Sequence, residues 1–331
     1  KNYGDLPEES NAAMGNYIQG YNCLKSKDYR TALGNFKFTV DALKRNEDRI
    51  RTDQIKNALL SDAILRAGDC HFKLNQYNDA IAYYNDAINR KDEGFEYALY
   101  QKAMIKGLQG QQTDKIVALE NLVDKHPNSR FTDEALYQLG STYQDLGKYD
   151  QAIQPLRRLV QDFRGKSNLV NQALLRLGLI SYNQGNTNAA TNYYKQVFAN
   201  NPEAAEAKDA LSALEEIYVK DLNRPDEYLA FLETVPGYNV NTTSKDSVIY
   251  QSANIQFQNG KYQQAIEGFT NYLAKYPNGP NSVNALYNRA ESYAQPAIGK
   301  YGMALKDYGA VVGRGPGRFY NRAAEKAALI A

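Results

Sequence analysis

The sequence predicts an all-α chain laid out as about eight helix-turn-helix repeats with a period near 37 residues. Three observations carry this reading. The first is direct self-similarity: a shift of 37 superimposes Ala98-Leu99-Tyr100-Gln101 on Ala135-Leu136-Tyr137-Gln138, and Gly110 on Gly147. The second is a small residue that recurs at Gly20, Gly68, Ala103, Gly140, Gly178, Ala253 and Ala290, with Glu215 standing in the sixth copy, at spacings of 48, 35, 37, 38, 37, 38 and 37. The third is punctuation. Gly147, Gly185 and Gly260 fall where a hairpin would turn, and Pro127, Pro202, Pro277 and Pro316 where one hairpin would give way to the next.

Within a copy, a second small residue follows 12 positions after the first, at Ala32, Ala80, Ala152, Ala190 and Ala265. Four residues further on stands an aromatic or leucine: Phe36, Tyr84, Leu156, Tyr194 and Phe269. Small residues let two helices cross closely, and a residue four on lies on the same helix face. The repeats are expected at 13–47, 50–92, 96–127, 133–165, 171–202, 208–236, 246–277 and 283–316, with the start of a ninth at 320–331. Between the first two copies lie 11 extra residues, about three helical turns. Residues 35–67 hold neither glycine nor proline, so lengthened helices are expected there. The sixth copy is degenerate, with Glu215 and Glu227 at its small positions and Pro225 expected to open its second helix. Residues 235–245 read as the most loop-like stretch. A terminal repeat normally needs a polar cap, and this sequence ends Ala327-Ala328-Leu329-Ile330-Ala331. The array is therefore expected to continue past residue 331, and a start at Lys1 without methionine is expected to be a processed or internal boundary.

The pattern of small residue, aromatic, alanine, aromatic and proline resembles the tetratricopeptide repeat, a helix-turn-helix unit of about 34 residues. Here the extra residues sit in the proline-containing turns, such as His126 to Ala135 and Tyr276 to Ala285. The resemblance covers nearly the whole chain. It implies a single right-handed superhelical solenoid over 1–331, first helices lining a concave groove and second helices forming the convex back. In repeat style, with Tyr-Pro-Asn-Gly or His-Pro-Asn-Ser turns, Ala-Leu-Tyr first helices and Gly-Lys-Tyr-Asp-Gln-Ala-Ile second helices, it is similar to Gram-negative envelope proteins. Those are the outer-membrane-protein assembly lipoprotein and the Tol-Pal-associated cell-division coordinator. Its asparagine- and tyrosine-rich composition resembles long repeat proteins of the Bacteroidetes envelope. This likeness implies a non-catalytic protein that holds partner proteins in the periplasm or at the outer membrane, with a cytoplasmic location as the alternative.

Composition narrows the function classes. Lys+Arg total 39 against Asp+Glu 37, a net charge of +2, which gives no basic footprint for nucleic acid. No run approaches the roughly 18 apolar residues of a membrane span, so membrane association would have to come through a lipidated N-terminus lying outside this sequence. The two histidines, His71 and His126, lie 55 residues apart, and no metalloprotease, nucleotide-loop or nucleophile-elbow motif occurs. No catalytic residue, cofactor or metal is expected. His71 takes the place of a packed tyrosine in a first helix, whereas His126 is expected to be solvated. Cys23 and Cys70 occupy near-equivalent places in neighbouring first helices, where a disulfide is geometrically possible and buried free thiols are the expectation.

The family resemblance places the groove positions three residues before the small residue, and one and four after it. The candidate contacts are Tyr17, Tyr21, Tyr100, Tyr137, Tyr182, Tyr250, Asn254, Phe257 and Tyr287. Tyrosine offers rigid contact area with a polar tip, which suits a peptide or helical segment of a partner protein. The same tyrosines could instead pack between adjacent repeats. The first half of this wall reads as more apolar and the second as more acidic. Tyr, Leu or Ser stands where chaperone-binding repeats carry a carboxylate-gripping lysine, and only Asn254 fits their asparagine position, so that mode is not expected. Arg157 and Arg158 are expected on a solvated outer face. Two functions follow: a scaffold binding its partner in the groove, or a structural spacer using its ends or back.

Overall fold

A computed structural model describes residues 8–45, 56–91, 93–238 and 241–331, and every regular element among them is helical. Their contacts divide the chain into two compact units, Lys1–Arg176 and Leu177–Ala331. In the first unit α1 (Glu8–Lys25) pairs with α2 (Tyr29–Arg45), and α3 (Ser61–Lys73), entered through a π-helical turn at Lys56–Leu60, pairs with α4 (Tyr77–Arg90). Then come α5 (Phe95–Leu108) with α6 (Gln112–Lys125), α7 (Thr132–Asp145) with α8 (Tyr149–Phe163), and the opening turns of α9 (Val170–Asn183). The second unit holds the remainder of α9 and α10 (Thr187–Phe198), and α11 (Ala204–Glu215) with α12 (Pro225–Leu232). It continues with α13 (Thr242–Gln258) and α14 (Tyr262–Lys275), α15 (Ser282–Tyr293) and α16 (Tyr301–Gly313), and α17 (Tyr320–Ile330). Odd-numbered helices are thus the first of each repeat and even-numbered helices the second.

One turn chemistry builds most of the hairpins. After α7 the backbone passes through Gly147 at φ 71°, the Gly147 N–H donates to the Gln144 carbonyl, and the Lys148 N–H reaches back to Tyr143 at 2.8 Å. This paired closure satisfies carbonyls that a helix end leaves open, and it requires a left-handed residue. Gly110, Gly185 and Gly260 repeat it, while Lys27 (φ 62°) and Asn75 (φ 60°) adopt the same conformation at the first two turns.

The small residues do the work the spacing assigns them. A Cβ built on Gly178 would meet the Tyr194 ring at 2.6 Å, and one on Gly68 the Tyr84 ring at 2.8 Å. Where the first helix carries alanine the space is given by the other: a Cβ on Gly268 of α14 would meet the Ala253 Cβ at 2.7 Å. Ala80, Tyr84, Ala152 and Leu156 in the first unit, and Ala190, Ala265 and Phe269 in the second, are fully buried along these crossings. The third repeat breaks the pattern. Lys115 occupies its second small position yet is buried, its stem lying over Gly107 and its Nζ donating to Gln138 Oε1 at 2.9 Å.

Three expectations change. The loop over 235–245 ends earlier, because Asn241 caps α13 by accepting from the Ser244 N–H at 2.8 Å and carries residues 242–245 into the helix. His126 is half-buried, edge-on to Phe95 at 5.1 Å, rather than solvated. Arg158 is half-buried and donates to the Val123 carbonyl of α6 at 3.2 Å. The lengthened helices of 35–67 are present as α2 to Arg45 and the turn from Lys56; residues 46–55 lie outside the described residues. Pro225 does open α12, but α11 first runs on as a π-helical stretch, Glu216–Asp221. His71 is buried, bonded through Nδ1 to Gln76 Oε1 at 2.8 Å and stacked on Tyr83. Cys70 is buried, Cys23 half-buried, and both are free thiols.

Candidate functional site

In the first unit, the first-helix wall is a chain of hydroxyls and charges. Tyr17 and Tyr21 of α1 both donate to Asp62 Oδ2 on α3, Tyr17 at 2.8 Å. Asp62 also receives Arg66 at 3.2 Å, and Arg66 pairs in turn with Asp69. Asp69 accepts from Tyr84 of α4 at 2.7 Å and from Tyr97 of α5 at 2.8 Å. Burial, with Asp62 next in weight, pushes the Tyr17 and Tyr21 hydroxyls above their usual range. Burial likewise raises the Asp69 carboxyl, against the pull of Arg66 and the two hydroxyls.

Further along, Tyr100 lies flat against Phe131, 5.8 Å between ring centres at 15°, and burial pushes its hydroxyl up to about 12. Arg130 covers Phe131 at 4.8 Å. Tyr137 accepts from Arg176 Nε at 3.0 Å with the guanidinium 5.2 Å from its ring, while Arg176 also donates to Gln144 at 2.8 Å. Beside Tyr100, the Glu134 Oε2 atom is buried without a hydrogen-bond partner. Burial, reinforced by Asp133, pushes that carboxyl up to about 7.

The second unit repeats the device with different chemistry. Tyr182 donates to Asp221 Oδ2 at 2.7 Å, and this bond, with burial, pushes its hydroxyl up to about 12. Asn288 donates to Tyr250 Oη at 3.4 Å and to Asn254 Oδ1 at 3.1 Å. Phe257 sits edge-on to Tyr262 and Phe269, at 6.0 and 6.4 Å. Tyr287 stacks on Phe319 of the next repeat at 4.4 Å and 17°.

All nine candidate residues are therefore half-buried, and most are tied to the following repeat. The residues that tie them were missed from sequence. Arg66, Arg176 and Asn288 each stand two positions before the small residue and reach back to the preceding first helix or its partners. A long polar side chain recurring at that offset was the available signal. It also corrects the expectation of an apolar first half, since Asp62, Arg66 and Asp69 all work on that wall. Open surface on this face falls elsewhere: Leu179 is 43% exposed, and Ser212 and Glu216 are exposed too.

No group of three or more His, Cys, Asp or Glu among the described residues could hold a metal ion, and no described helix is long and apolar enough to cross a membrane. The arrangement offers polar recognition and rigid rings.

Comparison with known proteins gives two family matches. The family described as "T7SS, ESX-1 secretion system protein EccA1, N-terminal domain" matches residues 32–216, more than half of the chain. A tetratricopeptide repeat model matches residues 250–318. No curated protein matches. Among solved structures, a tetratricopeptide repeat protein from Parabacteroides merdae is similar at 15% identity over 84% of this chain and 99% of its own, TM-score 0.45. The C-terminal part of a repeat-containing protein from Cytophaga hutchinsonii is 16% identical over 82% of this chain and 99% of its own, TM-score 0.46. The protein MamA is 17% identical over 62% of this chain and 93% of its own, TM-score 0.42. With its helical hairpins and these two family matches, the chain is a tetratricopeptide repeat protein and belongs to the EccA1 N-terminal-domain family.

Proposed function

We propose that this chain is a non-catalytic scaffold that takes a peptide or helical segment of a partner protein along its first helices, in assembly or export at the bacterial cell envelope. One observation carries this reading: the rings of Tyr17, Tyr100, Tyr137, Tyr250 and Tyr287 are half-buried and held by bonds or stacking to the next repeat. Side chains already fixed in place lose little rotamer freedom on binding, so their contact area converts efficiently into affinity. Leu179, Tyr182 and Glu216 then supply the open apolar and polar contacts. The likeness in repeat style to envelope proteins supports the location, and so does a family description that names a secretion-system protein.

The test is proximity crosslinking in the source organism with wild type and a Leu179→Arg, Glu216→Arg variant, both changes at exposed positions that leave the packing intact. Loss of one envelope or exported partner in the variant is the expected result. Recovery of the same proteins from both would shift the function to the second reading, a spacer or assembly subunit. That alternative rests on the buried half of each ring, which is spent on the joint between repeats, whereas the scaffold reading rests on the half left open.

A further inference from the structure

The seam between the second helices α4 and α6 stands open over α5, and the hairpin that follows shows what closing it takes. There, Leu136 of α7 is 1% exposed, and Arg158 of α8 lies back across α6 to the Val123 carbonyl at 3.2 Å, with Asp124 and Asp162 at 3.8 and 3.6 Å. Shifting by 37 residues brings the same two positions to Leu99 and Asn121. Leu99 is only half-buried, and the Asn121 amide turns to the Val117 carbonyl of its own helix at 2.9 Å. Asparagine is too short to bridge the seam. What remains is a trough of about 720 Å³.

Its shape and charge specify an occupant. On α5 the lining residues Phe95, Leu99, Lys102 and Lys106 recur at steps of four, three and four; on α6 Asp114, Val117, Asn121 and Lys125 recur at steps of three, four and four. Each stripe spans 12 residues, about 16 Å of helix. The floor is apolar, and Val117 is 51% exposed. Around it stand Lys91, Lys102, Lys106 and Lys125 against a single carboxylate among the described lining residues, Asp114, 3.8 Å from Lys106. The closest bonds of Lys102 and Lys106 are to the neutral acceptors Asn85 Oδ1 at 2.7 Å and Gln111 Oε1 at 2.8 Å.

We infer that this trough docks an acidic amphipathic helix of a partner protein, about three turns long, its apolar stripe on Leu99 and Val117 and its carboxylates against the lysines. A single acyl chain would bring one anionic head, whereas the lysines are spread over both walls and both ends. Charge complementarity of this kind sets orientation and partner choice. The surface lies on the seam of second helices, apart from the first-helix face.

The test uses the whole chain and a fluorescein-labelled synthetic helix of about 14 residues. Its leucines are spaced three and four apart and flanked by glutamates, and binding is read by anisotropy. Micromolar binding is expected, weakened at least about tenfold by Val117→Gln and by Lys102→Glu with Lys125→Glu, with circular dichroism verifying that each variant is folded. A peptide with lysines for glutamates is expected to ignore wild type and bind the charge-reversed variant. Leu179→Arg is expected to leave all of this unchanged, which separates the trough from the first-helix face. Equal binding of a peptide whose leucines are scrambled off one face would overturn the proposal. Variants that bind as wild type, or capture by phosphatidylglycerol vesicles without binding of the peptide, would do the same.

Discussion

Replacing Gly178 with alanine tests the crossing geometry most sharply, because two opposed effects of known size meet at one atom. Alanine in a helix interior is favoured over glycine by about 1 kcal/mol. The new Cβ, however, would lie 2.6, 2.7 and 2.9 Å from three carbons of the Tyr194 ring, where carbon atoms rest at roughly 3.5–4.0 Å. Tyr194 is 5% exposed on α10 beside the buried Ala190, so the ring cannot swing away and the helices must part by close to an ångström. Overpacking of that kind costs typically about 1–3 kcal/mol, and three short contacts to a rigid ring place this case at the upper end. The net expectation is a loss of about 2 kcal/mol, or ~4–8 °C in melting temperature for a unit of this size.

Gly309 provides the control in the same unit. It is exposed in the middle of α16, and a Cβ there meets nothing within 4 Å. Gly309→Ala is therefore expected to stabilise by about 1 kcal/mol through propensity alone. Thermal melts followed by circular dichroism at 222 nm read both variants. If Gly178→Ala melts at or above wild type, the close crossing is not what holds glycine there, and the code of small residues loses its physical basis.

Other consequences are as direct. Asp69→Asn breaks a largely buried cluster of Arg66, Tyr84 and Tyr97, and is expected to lower stability by about 3 kcal/mol in urea titration. Tyr137→Phe removes only the bond from Arg176 and is expected to lower it by about 1 kcal/mol by the same measurement. Glu134, pushed up to about 7 by burial, binds its proton more tightly folded than unfolded. Its stabilising effect is complete below the unfolded carboxyl range and is lost as pH rises through about 7. The melting temperature of wild type minus that of Glu134→Gln should accordingly fall between pH 5.5 and 8.5; a flat difference would refute the assignment. Burial pushes the Cys70 thiol up to about 12, so iodoacetamide is expected to label Cys23 well before Cys70, read by mass spectrometry of the folded chain.

Much of the fold was legible because its signals are local. The glycine turns, the pairs of small residues 12 apart and the aromatic four further on all describe contacts within one hairpin, and the structure places them as read. Lys115 escaped because it breaks the code at a position where Gly107 on the facing helix leaves room for its stem. The wall was harder to read. Tyr17 and Tyr21 announce themselves by type, but the Asp62 that binds them is 41 to 45 residues away and belongs to the next repeat. Arg66, Arg176 and Asn288 look like ordinary surface residues until the register between successive first helices is known. The open seam at Leu99 was hidden for a related reason. Its cause is an absence, asparagine where the next repeat has a bridging arginine, and only the comparison of two seams reveals it.

The choice of residue decides whether a substitution tests stability or recognition. Where a tyrosine hydroxyl is bound to Asp62, Arg176 or Asp221, removing it loosens the joint between repeats before it touches any partner. A loss of binding in a Tyr→Ala variant would then report on the scaffold and not on the contact. Exposed positions that bond to nothing across the joint separate the two effects: Leu179 on a first helix, Val117 on a second. A partner lost from Leu179→Arg at unchanged melting temperature assigns recognition to the first-helix face. One lost from Val117→Gln at unchanged melting temperature assigns it to the seam. If both variants keep every partner while Asp69→Asn loses them, the array acts only by its shape, and the wall of tyrosines is a structural joint throughout.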